Sequence, residues 1–176
     1  KSFNLSFIKN SISASAIALT LKVNKKDLIS QIQSFTPPKG RCYLKTINDI
    51  TIIDDTYNAN LISSLAALEY LDALSGDGRK IFVFGDMFEL GDESILQHRK
   101  IGEKCSKLKI DGVFTIGEET KHTYSAINNL NIKKHFDSKN KMIEYIKDYL
   151  RPGDKILFKG SRGMKMEQII KGIFKI

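Results

Sequence analysis

Cysteine is scarce in this 176-residue chain: the two present, Cys42 and Cys105, lie far apart without a CxxC motif or an adjacent histidine. That excludes a disulfide framework or a zinc site signalled by spacing, and reduced thiols in a cytoplasmic setting are expected. Long hydrophobic runs are also missing. The most apolar stretches are interrupted by Lys, Asp or Gly within about eight positions, short of the roughly 20 residues a membrane span needs, so no membrane span is expected. The start, KSFNLSFIKN, has a basic residue but neither a continuous apolar region nor a small-residue cleavage site, and does not read as a secretory signal. It opens on Lys1 rather than Met, which is read as a processed chain or a portion of a longer one. Proline is limited to three residues, and at 41% hydrophobic the composition is too apolar for a disordered or fibrous chain.

What is abundant is positive charge, with 28 Lys and Arg against 20 Asp and Glu, a formal net charge of +8. The basic residues are dispersed, mostly lysines at places where helices end or turn, such as Lys25, Lys26, Lys133 and Lys134. A nucleic-acid footprint would gather Lys and Arg on one stripe with interleaved aromatics. Most of this charge is therefore read as solvated surface, and no nucleic-acid partner is expected.

Apolar residues at Ile12, Ala16, Leu19 and Val23 recur at helical spacing over Asn10 to Lys22, and Asn24 opens a second helix with Leu28, Ile29 and Ile32 on one face. Pro37-Pro38-Lys39-Gly40 is the clearest punctuation, and a boundary is placed there, between residues 1–38 and 39–176. Arg41 to Ile47 and Ile50 to Asp54 read as a hairpin joined by Asn48-Asp49. Strand-like runs at Lys80 to Phe84, Gly112 to Ile116, His135 to Asp137 and Lys155 to Phe158 then alternate with helical stretches at Ser63 to Ser75, Glu93 to Leu108, Thr120 to Asn129, Lys139 to Leu150 and Lys165 to Ile173. This alternation predicts an α/β fold, a mostly parallel Rossmann-like sheet with helices on both faces, preceded by two helices.

In such sheets ligands bind beyond the carboxyl ends of the strands. Three loops of distinctive composition fall there: Asp54-Asp55-Thr56-Tyr57-Asn58-Ala59-Asn60, Gly85-Asp86-Met87-Phe88-Glu89-Leu90-Gly91, and Lys159-Gly160-Ser161-Arg162-Gly163. The Asp pair suits a metal, ribose hydroxyls or simple capping of the next helix. Tyr57 with two amides close after it suits stacking on a base and reading its edge, with tight-turn support as the alternative for Asn58 and Asn60. KGSRG suits an anion, through backbone N–H groups and the Arg fork. Neither a P-loop nor a GxGxxG motif is present. His98, His122 and His135 join no nucleophile and are read as structural or surface residues. A rival arrangement takes Asp54, Asp55, Asp86, Thr115 and Lys159 as a magnesium-dependent receiver- or phosphatase-like phosphoryl-transfer site, although DDTY departs from the DxDx[TV] that such phosphatases carry. A non-catalytic basic adaptor is a second alternative.

DDTYNAN (Asp54 to Asn60), GDMFELG (Gly85 to Gly91) with His98 downstream, and KGSRGMKME (Lys159 to Glu167) together resemble the carboxyl-terminal domain of the Mur ligase family, in its MurF-type branch. The likeness covers Arg41 to Ile176, and more weakly Phe3 to Phe35, which is similar to the last helices of the family's central ATPase domain. It implies a complete enzyme that adds D-Ala-D-Ala to a UDP-N-acetylmuramoyl-tripeptide in peptidoglycan synthesis. ATP and Mg²⁺ would serve there to make an acyl phosphate, and the carboxyl-terminal domain would close over the central domain of the same enzyme.

On the ATP side the resemblance implies Arg41 for the phosphates, Asp55 for the ribose hydroxyls, and Tyr57, Asn58, Asn60 and Asn10 around the nucleotide. For D-Ala-D-Ala it implies Lys159, Ser161 and Arg162 at the carboxylate, with Asp86 and Glu89 toward the ammonium. The chain departs from the family in three respects: Leu61-Ile62 follows DDTYNAN where Pro and an acidic residue are usual, only Asn10 of the family's adenine-side residues is retained, and no GTNGKT-like phosphate loop is present. No complete catalytic set and no metal ligand are assigned to this chain, which is expected to be inactive alone.

Overall fold

A computed structural model describes residues 5–176, so the start of the appended segment, Lys1 to Asn4 with Phe3, lies outside the described residues. Two helices come first, α1 (Leu5–Thr20) and α2 (Lys25–Ser34). Asn24 caps α2 by accepting the Lys26 N–H at 2.8 Å, as a side-chain oxygen at that position should. The apolar residues at helical spacing are not buried: Ile12 and Leu19 of α1 and Val23 beyond its end are exposed, and Ile29 of α2 is exposed as well.

The hairpin is β1 (Tyr43–Ile47) and β2 (Ile50–Asp55), paired antiparallel. Asn48 and Asp49 have φ of 50° and 61°, both left-handed, which is the mirror-image turn whose twist matches that of its strands. There follow α3 (Leu61–Ala73), β3 (Lys80–Gly85), α4 (Ser94–Cys105), β4 (Gly112–Ile116), α5 (Thr120–Ala126), β5 (Lys133–Phe136), α6 (Lys139–Tyr149), β6 (Lys155–Lys159) and α7 (Glu167–Phe174). The sheet order is β1-β2-β6-β3-β4-β5, with every pairing after the hairpin parallel.

Boundaries move for local reasons. Helix α3 starts two residues before the expected Ser63 because Asn60 and Ser63 form a reciprocal capping box. Strand β5 ends at Phe136, since Ser138 already caps α6. Helix α7 starts later than Lys165, which sits at φ 49° after a 3₁₀ turn over Arg162–Met164.

The central strands β3, β4 and β6 are buried almost throughout and read as near-continuous apolar runs, the pattern of a parallel sheet covered on both faces. One core lies under α6 and α7, built on Ile52, Ile81, Val83, Phe114 and Phe158. The other lies under α3, α4 and α5, built on Ile53, Leu68, Phe82, Phe84 and Leu157. Each fully buried Phe or Leu contributes about 1.5–3 kcal/mol of apolar burial, and this two-sided core holds the loop-bearing strand ends in register. At the other end, Arg79 clamps Asp154 with two hydrogen bonds, at 3.0 and 2.6 Å, and packs its guanidinium on the Tyr149 ring. That end is connector chemistry, as the composition of its turns implies.

Candidate functional site

Strand β6 lies between β2 and β3, so the loops leaving these three strands emerge side by side. Ser161 ties them together. Its N–H donates to the Asp86 carbonyl at 2.9 Å, its Oγ accepts the Phe88 N–H at 2.8 Å, and the same hydroxyl donates to the Ala59 carbonyl at 3.4 Å. The strand-end rule therefore located the convergence correctly.

Beside this knot, a cleft of about 900 Å³ opens between the helical segment and the sheet, lined by residues of α1, α2, the Pro-rich connector, β1, the DDTYNAN loop and α3. Asn10, Arg41, Asp55, Tyr57, Asn58 and Asn60 all border it. The connector is a built turn: the Pro38 carbonyl accepts the Arg41 N–H at 3.1 Å, and Gly40 takes φ +80°, the conformation a type II turn requires at that position. The Gly40 carbonyl accepts the Tyr57 N–H at 2.9 Å, and a Cβ on Gly40 would press within 3.2 Å of Tyr57. The Arg41 guanidinium stacks on the Tyr57 ring with its carbon 4.0 Å from the centroid, a cation–π contact at the cleft rim.

The two aspartates divide their work. Asp54 accepts the Thr56 hydroxyl at 2.7 Å and its N–H at 3.3 Å, turning the chain after β2. Asp55 accepts the Cys42 N–H on one oxygen at 2.9 Å and the Lys159 ammonium on the other at 2.6 Å. Neither caps α3; Asn60 does, so that bland alternative for the Asp pair is overturned.

The residues linked to the dipeptide end up in unlike environments. Lys159 is 1% exposed and spends its ammonium on Asp55 and on the Asn58 carbonyl at 3.0 Å. Ser161 and Asp86 are buried, and Asp86 accepts the Thr120 N–H at the start of α5 at 2.8 Å. Glu89, at φ +63°, is exposed, and Arg162 is exposed with only a 3.5 Å contact to Glu167.

The phosphoryl-transfer alternative is not supported by this arrangement. Asp55 and Lys159 are paired to each other, Asp86 holds a helix start, and the Thr115 hydroxyl meets His135 Nδ1 at 2.9 Å. Among the described residues no three His, Cys, Asp or Glu side chains are grouped to hold a metal.

Sequence reasoning missed the support of the middle loop. His98 is buried; its Nε2 accepts the Met87 N–H at 3.0 Å, and its Nδ1 lies 2.8 Å from the Ser94 carbonyl, a pair of contacts that fits the Nδ1–H tautomer. Burial pushes the imidazole below its ordinary pKa, against the pull of Asp86 and Glu119. Glu119 accepts the Ser94 hydroxyl at 2.5 Å. The spacing from GDMFELG to His98 was visible, but nothing local said that the ring would hold a backbone amide. Cys42 escaped for a similar reason, since its contribution is its N–H.

A doubly covered parallel sheet, three interlocked loops and a cleft at a glycine-turned connector define a Mur-ligase-type domain, and residues 40–162 match the family model described as Mur ligase, glutamate ligase domain. The chain belongs to the Mur ligase family. More particularly, it is similar to the UDP-N-acetylmuramoyl-tripeptide–D-alanyl-D-alanine ligase of Buchnera aphidicola, 36% identical over 174 residues, covering 96% of this chain and 36% of that protein. The Bacillus subtilis ligase of the same name is 38% identical over 135 residues, covering 75% of this chain and 30% of the relative. Among solved structures, the MurF ligase of Thermotoga maritima in complex with ADP superimposes with a TM-score of 0.82 at 28% identity, covering 98% of this chain and 39% of that one. MurF from Acinetobacter baumannii gives 0.86 at 28% identity, covering 98% and 38%. The matched region thus spans 30% to 39% of the length of these relatives.

Proposed function

We propose that this chain is the carboxyl-terminal portion of an ATP-dependent ligase that joins D-Ala-D-Ala to a UDP-N-acetylmuramoyl-tripeptide. The observation that carries this reading is the cleft shared by the connector and the DDTYNAN loop, with Arg41 on Tyr57 at its rim and Asp55 in its wall, together with the ADP held by the Thermotoga maritima relative.

In the complete enzyme the tripeptide carboxylate oxygen bonds the γ-phosphorus of ATP and ADP leaves. The dipeptide amine, having lost a proton, then attacks the acyl carbon and inorganic phosphate departs. This chain's part is positioning. Arg41 brings a permanently charged guanidinium to the nucleotide phosphates, the free lone pairs of Asp55 receive ribose hydroxyls, and the Tyr57 ring walls the cleft. Asn58, Asn60 and Asn10 border the same space, although Asn60 also caps α3 and Asn58 lends its carbonyl to Lys159. Arg162, exposed beside the interlocked loops and 3.5 Å from Glu167, is the cation offered to the dipeptide carboxylate, with Glu89 toward its ammonium. No magnesium ligand is assigned to this chain, whose described residues group no such set.

The test is ADP formation by the complete ligase. Turnover should require both the UDP-tripeptide and D-Ala-D-Ala, and this 176-residue chain alone should form no ADP. Arg41→Ala should lower kcat/KM by about 10² or more, the loss seen when one preorganised charge-stabilising donor is removed. Wild-type kinetics in that variant, or turnover without the dipeptide, would sink the reading.

A further inference from the structure

Lys159 is the buried cation of the site. It is the last residue of β6, in parallel register with Asp55 at the end of β2, and the two strands set its ammonium 2.6 Å from Asp55 Oδ2. The Asn58 carbonyl takes a second hydrogen bond at 3.0 Å, and the Cys42 N–H holds the other oxygen of Asp55. The Lys159 side chain is 2% exposed and that of Asp55 14% exposed; both residues border the cleft, and the carboxylate is the more accessible of the two.

Swinging Nζ out toward a dipeptide carboxylate would strand Asp55 without its cation and leave the Asn58 carbonyl unpaired, both costly where solvent is excluded. We infer that Lys159 is a positioning residue of the nucleotide side: it fixes the Asp55 carboxylate in the orientation that receives ribose hydroxyls, and it does not grip the dipeptide. This rests on the reading of Asp55 given above. The remaining lone pairs of Asp55, two of about four carboxylate sites being spent on Cys42 and Lys159, are what the nucleotide finds.

The experiment compares KM for ATP, 2′-deoxyATP, 3′-deoxyATP and D-Ala-D-Ala in the complete ligase. Lys159→Met should raise KM for ATP about tenfold or more, the loss of a charge-assisted bond. It should flatten the preference for ATP over the deoxy analogues and leave the dipeptide KM within about twofold. A rise confined to the dipeptide KM, or a uniform change in all four, overturns the inference.

Should that variant fail to fold, Asp55→Asn/Lys159→Gln removes both charges and orphans neither. Its dipeptide KM should match that of Asp55→Asn alone, and a rise of about tenfold over the single variant would assign Lys159 to the dipeptide. Asp55→Asn by itself tests the underlying reading. If it leaves the ATP to deoxy-analogue ratio intact, the ribose assignment fails, whereas a flattened ratio there with an unaltered one in Lys159→Met sinks only the role of Lys159.

Discussion

At the scale of single residues, His98 shows how an unremarkable side chain supports a site. To accept the Met87 N–H its Nε2 must be unprotonated, and burial lowers its pKa accordingly. The unfolded chain, with an ordinary histidine pKa near 6.5, binds the proton more readily than the fold does. The contribution is therefore complete above about pH 6.5 and is lost as pH falls from there toward the lowered folded value. His135 is lowered in the same direction, chiefly by burial and by Lys121. Stability measured by denaturant unfolding should decline between about pH 6.5 and 5, ahead of most carboxylate titration. His98→Gln should blunt that decline, and an unchanged slope would show that His98 does not titrate with folding. That the ring is structural was legible from the absence of a nucleophile partner. Which backbone group it holds was not, because the Met87 amide carries no side-chain signature.

Among elements, the register of β2, β6 and β3 decides which loops meet, while close helix packing decides how firmly the middle loop is held. Gly102 of α4 lies against α5, and a Cβ there would come within 2.3 Å of the Thr123 carbonyl and 3.0 Å of the Ala126 side chain. In an open helix Gly→Ala gains about 1 kcal/mol. Here the obstacle is backbone, so overpacking of about 1–3 kcal/mol opposes that gain and the upper end applies. Gly102→Ala should therefore destabilise by about 2 kcal/mol, read as a lower midpoint in urea at unchanged slope. A more stable variant would mean that α4 and α5 do not approach this closely in solution. Element types were legible throughout, because β-branched and aromatic runs alternate with helical periods. Their ends were less so, since the Asn60–Ser63 capping box and the 3₁₀ turn at Arg162 depend on backbone geometry that several neighbouring residues could have supplied.

For the whole molecule, the two cores draw every member from residues after the connector, with Ile50 and Ile53 the first buried positions in each. Helix α2 buries no residue at all. A chain of residues 39–176 should therefore unfold cooperatively, with a Tm lower by about 2–4 °C or less, the equivalent of about 1 kcal/mol at this size. Loss of the cooperative transition on truncation would instead make the helices part of the domain. The same truncation removes the wall of the cleft formed by Phe7, Leu28 and Phe35. Fold stability and completeness of the cleft are thus assigned to different parts of the chain.

The amino-acid sequence by itself determined the alternation of strand and helix, the break at Pro37-Pro38, and the three loops at one edge of the sheet, since each follows from local periodicity or local turn chemistry. The tertiary structure alone decided which partners the loop residues meet. Lys159, Ser161 and Arg162 are near neighbours in sequence, and grouping them as one anion grip was natural. Parallel pairing of β6 with β2 instead buries Lys159 on Asp55, the Asp86 and Phe88 backbone claims Ser161, and only Arg162 is left facing solvent. The reason is physical: an ammonium 104 positions away in the chain from its carboxylate can be matched to it only by strand register, which no local pattern encodes.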